Sequence, residues 1–201
     1  MRSRGGTGRA SGLDRQFGRP QGLVGHLVGH AMAIEHRALH KAVVERLGLA
    51  ADDRVLEIGF GPGTAIKLAA LQATHVSGVD ISSDMVRQAL RRNRDAVRLG
   101  RVELREGSAS HLPYPDGSFN VVFEVNSLHH WDDETQGVRE IRRVLRSGGR
   151  VLFTLRSGHG VPLSSQVEAV VRLLEGEGFD AVTAEMHRLS HGGAFIMARR
   201  P

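Results

Sequence analysis

From residue 54 to residue 199, short apolar runs alternate with segments whose apolar residues recur every three to four positions. The runs predict buried strands, and the intervening periodicity predicts helices that each cover one face of a sheet. Strands that alternate with helices require crossover connections, and therefore a mostly parallel sheet with helices on both faces. The predicted strands are Val55–Ile58, His75–Val79, Val102–Glu106, Val121–Val125, Val151–Leu155, Ala181–Leu189 and Gly193–Arg199.

The last two predicted strands break this alternation, because only Ser190-His-Gly-Gly193 separates them. They are therefore expected to pair antiparallel, as a hairpin at the sheet edge. Before the first strand, Leu39, Val43 and Leu47 lie on one helical face, and Gly48 is a plausible helix stop. The sequence thus predicts an α/β fold: a Rossmann-like, seven-stranded, mostly parallel sheet with an antiparallel last strand, helices on both faces and an N-terminal helical cap.

Composition sets the expected domain organisation. A length of 201 residues suits one well-packed domain, which we place at residues 51–201, after a cap or lid over residues 21–50. Residues 1–20 contain five arginines and one aspartate, so they carry most of the formal net charge of +5 and read as a basic flexible tail. The remainder is too weakly basic to favour a nucleic-acid partner. Oligomeric state is left open.

Three absences bear on chemistry and location. The chain has no cysteine, which excludes disulfides, thiolate catalysis and Cys-ligated metal. No apolar run reaches the length of a membrane span, and no secretory signal opens the chain, so a cytoplasmic location is expected. His26 and His30, like His36 and His40, have the i, i+4 spacing of a metal pair, but no carboxylate or cysteine completes a set. No metal site is expected.

A glycine-rich loop, Gly59-Phe-Gly-Pro-Gly63, follows the first predicted strand. Ligands of open parallel sheets bind at the carboxyl ends of the strands, where such a loop lies. Gly59, Gly61 and Gly63 allow a sharp turn and a close approach of the backbone to the ligand. Asp80 ends the second strand, where its carboxylate can accept hydrogen bonds from both hydroxyls of a ribose.

Two details separate this loop from that of a dinucleotide enzyme. Its G-x-G-x-G spacing is one residue tighter than the G-x-G-x-x-G of dinucleotide sites. Glu57 stands at the end of the strand, where a carboxylate would repel a pyrophosphate but suit a ligand with an ammonium and a sulfonium group. The loop therefore favours a cationic nucleoside cofactor.

These residues also carry a family resemblance. Val55-Leu-Glu-Ile-Gly-Phe-Gly-Pro-Gly63 resembles the first motif of class I S-adenosylmethionine-dependent methyltransferases, and Val79-Asp-Ile-Ser-Ser-Asp-Met85 resembles the second. The stretches 106–119 and 140–150 resemble the segments that lead into and follow the fourth strand. The resemblance runs in unbroken order from Arg54 to Leu155. It is closest to the small-molecule methyltransferases of ubiquinone and menaquinone biosynthesis, and it implies S-adenosyl-L-methionine as the cofactor.

The resemblance also assigns cofactor contacts. Ser108 occupies a position where many relatives carry an aspartate that contacts the adenine amino group. That contact can be made by the serine hydroxyl or by the backbone of Ser108 and Ala109, and both remain open. Ile81 is expected either on the adenine face or in ordinary core packing. Asn126 is expected against the methionine part of the cofactor.

The candidate residues for binding the methyl acceptor lie in the segment Asn126-Ser-Leu-His-His-Trp131, which follows the fourth strand. His129 is the candidate general base, with packing or loop orientation as the alternative role. His130 and Trp131 are expected near the acceptor, although Trp131 could instead anchor the next helix. In the predicted lid, His26 and His30 are candidates to touch the acceptor, or else to sit on a helix against the sheet edge.

The leading interpretation is methyl transfer to oxygen, nitrogen or activated carbon of a small molecule. Methylation of nucleic acid or protein is an alternative within the same fold, but residues 126–129 lack the Pro-Pro motif of amino-methylating DNA enzymes. A non-catalytic S-adenosylmethionine-binding module is an alternative from another class.

Overall fold

The structure is a computed structural model that describes residues 37–157 and 160–201. Its sheet has seven strands in the order β3-β2-β1-β4-β5-β7-β6. The strands are β1 (Arg54–Ile58), β2 (His75–Asp80), β3 (Val102–Glu106), β4 (Phe119–Glu124), β5 (Leu145–Arg156), β6 (Asp180–His187) and β7 (Gly193–Arg199).

Strand directions confirm the predicted topology. Neighbours among β1 to β5 are parallel, whereas β7 is antiparallel to both β5 and β6. Only a short 3₁₀ turn, Leu189–His191, lies between β6 and β7. The hairpin therefore inserts its second strand next to β5 and leaves β6 at the edge.

The helices are α1 (residues 37–47 of the described chain), α2 (Thr64–Ala69), α3 (Ser83–Arg92), α4 (Arg94–Arg98), α5 (Glu134–Val144) and α6 (Leu163–Gly176). Side-chain caps fix two of their starts. The Ser82 hydroxyl accepts the Met85 N–H at 3.4 Å, and the Asp133 carboxylate accepts the Gln136 N–H at 2.9 Å. None of the helices within the described ranges is both long and apolar enough to cross a bilayer.

Alternation along the strands gives the sheet a core on each face. One core contains Leu56 and Phe153 and is covered by α5 and α6. The other contains Val55 and Phe123 and is covered by α1, α2 and α3. Helices therefore lie on both faces, as predicted.

Helix α1 belongs to the second of these cores. Leu39, Val43, Val44 and Leu47 are buried in it, and the helix stops at Gly48, whose φ of 52° suits glycine. The Arg150 Nε also donates to the Leu47 carbonyl at 2.9 Å. The second half of the predicted cap is thus packed on the sheet, whereas residues 1–36 lie outside the described residues.

Strand β5 is longer than predicted, because it begins at Leu145 rather than Val151. Its pairing with β4 changes register between Phe119 and Val121. Gly149 lies at this irregularity, and a Cβ there would stand 2.8 Å from the Arg146 carbonyl oxygen. Residues 146–150, which extend the strand, are polar or glycine, so the apolar runs of the sequence do not reveal them.

Two glutamates are buried in the sheet, Glu57 on β1 and Glu124 on β4, each 1% exposed. Burial raises the pKa of Glu57 well above its ordinary value of 4.5, and the nearby charge of Glu124 raises it further. Glu57 accepts a hydrogen bond from the backbone of Ile66, but its Oε2 has no partner among the described residues. Its proton is therefore bound more tightly in the folded chain than in the unfolded chain.

This burial predicts a pH-dependent effect of Glu57→Gln. Above pH 4.5 the unfolded chain releases the Glu57 proton while the folded chain keeps it, so the free energy of unfolding falls as pH rises until the folded carboxyl ionises. The variant has no such loss. Its stability relative to the native chain should rise with pH by up to about 1.4 kcal/mol per unit.

Chemical unfolding across a pH series measures the difference. Glu168→Gln is the matched control, because that side chain is 66% exposed. A stability gap that does not grow with pH in Glu57→Gln would contradict the assignment of a buried, protonated carboxyl.

Candidate functional site

A cavity of about 420 Å³ opens at the carboxyl ends of β1, β2 and β4. Its volume lies within the range of small-molecule sites, about 300–1,000 Å³. Its wall is formed by Ile58, Gly59, Gly61, Val79, Asp80, Ile81, Met85, Gly107, Ser108, Ala109, Val125, Asn126, Ser127, His130, Trp131 and Asp132.

The three loop glycines have different surroundings. Gly59 (φ 69°) faces Ser127, and a Cβ at Gly59 would lie 2.4 Å from the Ser127 Cβ. Gly63 (φ 75°) packs on α3, where a Cβ would lie 2.7 Å from that of Ala89. Gly61 (φ 51°) has open space around its Cβ position. Only Gly59 and Gly61 line the cavity, so the requirement for glycine at Gly63 comes from helix packing.

Asp80 joins the loop to the end of β2. Its Oδ2 accepts the Gly61 N–H at 2.7 Å, and its Oδ1 accepts the Ser82 N–H at 2.9 Å. Each carboxylate oxygen has a second lone pair that can accept from a ligand hydroxyl. The side chain is 8% exposed and lines the cavity, so it fixes the loop and faces the ligand space.

The wall beyond β2 and β3 is mostly apolar. Ile81 is 64% exposed and lines the cavity with Met85, so its core-packing alternative is wrong. Ser108 and Ala109 also line it. The Ser108 hydroxyl already accepts the Ser110 N–H at 3.1 Å, which leaves its own proton free to donate.

Glu57 does not line the cavity. Its side chain is buried against α2, and this burial raises its pKa. The strand turns this side chain into the core, so the contact of Glu57 with the ligand stays a prediction. The carboxylates on the wall are Asp80 and Asp132.

Residues 125–131, which we call the β4 segment, form the opposite wall. Asn126 has a φ of 54°, which is unusual for a residue other than glycine. Its N–H donates to the Thr154 hydroxyl at 2.8 Å, and its Oδ1 lies 3.1 Å from the same hydroxyl. The Ser127 Oγ lies 3.0 Å from the Ile58 carbonyl oxygen. These bonds tie the segment to β5 and to the start of the glycine loop.

The two adjacent histidines of the segment differ in position. His130 lines the cavity, whereas His129 is exposed and absent from the wall. Their rings lie 3.9 Å apart between centroids. His129, the residue predicted as general base, is therefore one ring removed from the ligand space.

Trp131 lies between the cavity and the helix that follows the segment. One part of the side chain lines the cavity, and another packs on α5 over Gly137, where a Cβ would lie 2.4 Å from the ring. The Trp131 Nε1 donates to the Ser127 Oγ at 3.3 Å. The indole thus connects the wall to the helix behind it.

The remaining predicted contacts concern the N-terminal part of the chain. His26 and His30 lie outside the described residues. Within residues 37–157 and 160–201, no group of three or more His, Cys, Asp or Glu side chains could hold a metal ion.

Sequence reasoning missed Glu124, which lies behind the β4 segment. It accepts backbone hydrogen bonds from Ser127, Leu128 and Thr154 at 2.5, 3.1 and 2.6 Å. Burial raises its pKa to about 7. A glutamate at the end of the apolar run Val121-Val-Phe-Glu-Val125 was the available signal, since a buried strand rarely carries an unpaired carboxylate.

Comparison with known proteins points to one family. Residues 56–153 match the family model described as a methyltransferase domain. The chain is 33% identical over 132 residues to the uncharacterized methyltransferase YdaC of Bacillus subtilis (strain 168), an alignment that covers 65% of this chain and 71% of YdaC.

Two further matches are partial or structural. The 27-O-demethylrifamycin SV methyltransferase of Amycolatopsis mediterranei (strain S699) is 43% identical over 106 residues, which cover 52% of this chain but only 39% of that protein. The crystal structure of the [4+2]-cyclase SpnF superposes with a TM-score of 0.70 at 23% identity, covering 82% of this chain and 81% of that one. The similarity to SpnF shows a common fold.

Four features indicate the same family: the glycine loop, the position of Asp80 on the cavity wall, the seven-stranded sheet and the match to YdaC. The chain belongs to the class I S-adenosylmethionine-dependent methyltransferases.

Proposed function

We propose that the protein transfers the methyl group of S-adenosylmethionine to oxygen, nitrogen or activated carbon of a small-molecule acceptor. The observation that carries this proposal is the position of Asp80, whose carboxylate fixes the glycine loop and faces the cavity. Because the same fold is found in a [4+2]-cyclase, the fold alone does not decide the reaction, and the family relationship supports methyl transfer.

The residues of the wall fit this cofactor. Asp80 offers acceptor lone pairs for two ribose hydroxyls, and Gly61 leaves open space beside them. Ile81, Met85 and Ala109 offer an apolar surface for adenine, with Ser108 at its edge. Asp80 and Asp132 give the wall a negative charge, which suits a sulfonium cation. We assign Asn126, which also lines the cavity, to the methionine part.

S-adenosylmethionine supplies an electrophilic methyl group on a good leaving group. The protein then needs chiefly to orient the acceptor and exclude water, a contribution worth up to about 7–11 kcal/mol in favourable cases. The β4 segment, which includes Trp131, walls the cavity, and His130 is placed to accept a proton from an acceptor that must lose one. His129 is retained as the alternative base.

We further propose that the acceptor belongs to the class used by the quinone-biosynthesis methyltransferases that the sequence resembles. The relative that acts on 27-O-demethylrifamycin SV supports a small organic acceptor with a methylatable oxygen. We also retain, as proposals, a cytoplasmic location, the basic tail over residues 1–20, the cap over residues 21–50 that brings His26 and His30 to the acceptor, and the main domain over residues 51–201.

Turnover provides the direct test. Incubation with methyl-labelled S-adenosylmethionine and a panel of phenols, hydroquinones, amines and active-methylene compounds should release S-adenosylhomocysteine with at least one acceptor. Calorimetric binding of the cofactor without turnover on any acceptor would instead identify a non-catalytic binding module.

Asp80→Asn should weaken S-adenosylhomocysteine binding by at least about tenfold, because hydrogen bonds to a charged group contribute about 1.5–3 kcal/mol each. Calorimetry measures the dissociation constant. Asp84→Asn is the matched control, since its side chain is 71% exposed and pairs with Arg87 on the surface. Equal affinities of the two variants would remove Asp80 from the cofactor site.

His130→Gln should lower kcat for an acceptor that carries a titratable proton, whereas His129→Gln should have a smaller effect. The reason is that His130 lines the cavity and His129 does not. Steady-state kinetics on the acceptor found above, with each variant, makes the comparison. A larger loss in His129→Gln would restore His129 as the base.

A further inference from the structure

The carboxylate of Glu124 is held behind the cavity by an unusual concentration of donors. Its Oε2 accepts the N–H groups of Ser127 and Leu128 at 2.5 and 3.1 Å. Its Oε1 accepts the N–H of Thr154 at 2.6 Å. One side chain on β4 therefore binds both the β4 segment and the end of β5.

The backbone of the segment is shaped for an anion at this point. Asn126 is left-handed (φ 54°), and Ser127 is right-handed (φ −106°, ψ −22°). Alternation of these two conformations points successive N–H groups to one side and forms a nest that binds anions. Glu124 places its carboxylate in this nest, which offsets the cost of the left-handed Asn126.

The bonds to Glu124 extend to the wall of the cavity. Thr154, held through its N–H, uses its hydroxyl to accept the N–H of Asn126 at 2.8 Å. Ser127, held through its N–H, receives the Trp131 indole N–H at 3.3 Å. Asn126, Ser127 and Trp131 all line the cavity, but Glu124 itself does not. Glu124 therefore acts on a ligand through the residues of the wall and not by touching it.

We propose that Glu124 is a positioning residue: its carboxylate holds the β4 segment in the shape that walls the cavity, and the segment loosens when that carboxylate takes up a proton. The expected effect on ligand binding rests on the proposed function, whereas the expected loosening of the β4 segment does not.

The charge state of Glu124 depends on its surroundings. Burial raises its pKa to about 7, against the lowering effect of the bonds from Ser127, Thr154 and Leu128. Its charge raises the pKa of Glu57 on the neighbouring strand β1, while its hydrogen-bond partners on β5 and the segment are neutral. His129 and His130 are the ionisable side chains of the segment itself, and both are exposed.

Trp131 reports on the wall directly, because it is the single tryptophan of the chain. Its fluorescence should change between about pH 5.5 and 8.5 with a midpoint near 7, as Glu124 is protonated. Imidazolium rings also quench indole, so the titration is performed in His129→Gln/His130→Gln as well as in the native chain. The transition should persist there and disappear when Glu124→Gln is added.

Glu140→Gln is the matched control for a merely structural role. Glu140 is 8% exposed and accepts the Leu112 N–H at 2.8 Å, but it is not part of the cavity wall. Its variant should keep the fluorescence transition. At pH 8, Glu124→Gln should weaken S-adenosylhomocysteine binding by about tenfold or more, while Glu140→Gln leaves it unchanged.

Three results would overturn the proposal. The first is a transition that survives Glu124→Gln in the His129→Gln/His130→Gln background, the second is the absence of any transition in that background, and the third is an equal loss of affinity in Glu124→Gln and Glu140→Gln. If the native chain binds no S-adenosylhomocysteine, the proposed function fails and the fluorescence titration still decides the role of Glu124. Should Glu124→Gln fail to fold, Glu124→Asp decides instead. A carboxylate one methylene shorter should shift the midpoint by at least about half a pH unit, and an unchanged midpoint overturns the proposal.

Discussion

The contact between Gly59 and Ser127 is the constraint on which the cavity depends. A Cβ at Gly59 would stand 2.4 Å from the Ser127 side chain, so the turn after β1 and the segment after β4 touch with no room between them. Strands β1 and β4 are neighbours, with Ile58 opposite Glu124, and their two exits must therefore diverge sharply from a common point. The glycine loop turns towards Asp80, and the β4 segment turns towards α5, where the Trp131 ring packs on Gly137. The cavity is the space between these two exits.

Each exit is held by a carboxylate that accepts backbone N–H groups, but the two carboxylates are used differently. Asp80 lies on the wall and keeps lone pairs for the ligand, and each of its oxygens accepts one backbone N–H, from Gly61 in the loop and from Ser82 at the start of α3. Glu124 lies behind the wall and gives all its described bonds to the protein. Burial raises the pKa of Glu124 to about 7. A carboxylate that accepts backbone N–H groups thus serves in one place, Asp80, as a group that faces the ligand and in the other, Glu124, as a buried group that holds the wall.

The sequence predicted the cofactor half of this arrangement better than the acceptor half, for a physical reason. Strand periodicity, the glycine spacing and the position of Asp80 at a strand end are local properties, and the structure reproduces them. The burial of Glu57 depends on which way one strand residue points relative to α2, and the loop pattern carries no such information. Likewise, the separation of His129 from His130 depends on the 3₁₀ turn at Leu128–His130, which apolar periodicity does not reveal.

The acceptor half is built from long-range contacts between residues that look ordinary in the sequence. The Thr154 hydroxyl on β5 accepts the Asn126 N–H. On α5, position 137 requires glycine because the Trp131 ring lies where a Cβ would be. A substitution at Gly137 or Thr154 would move the wall without touching a ligand. Relatives can therefore keep the glycine loop and Asp80 and still change the acceptor through such supporting positions. Because these supports are separate from the cofactor loop, the family motif identifies the methyl donor, whereas the acceptor depends on the packing behind the β4 segment.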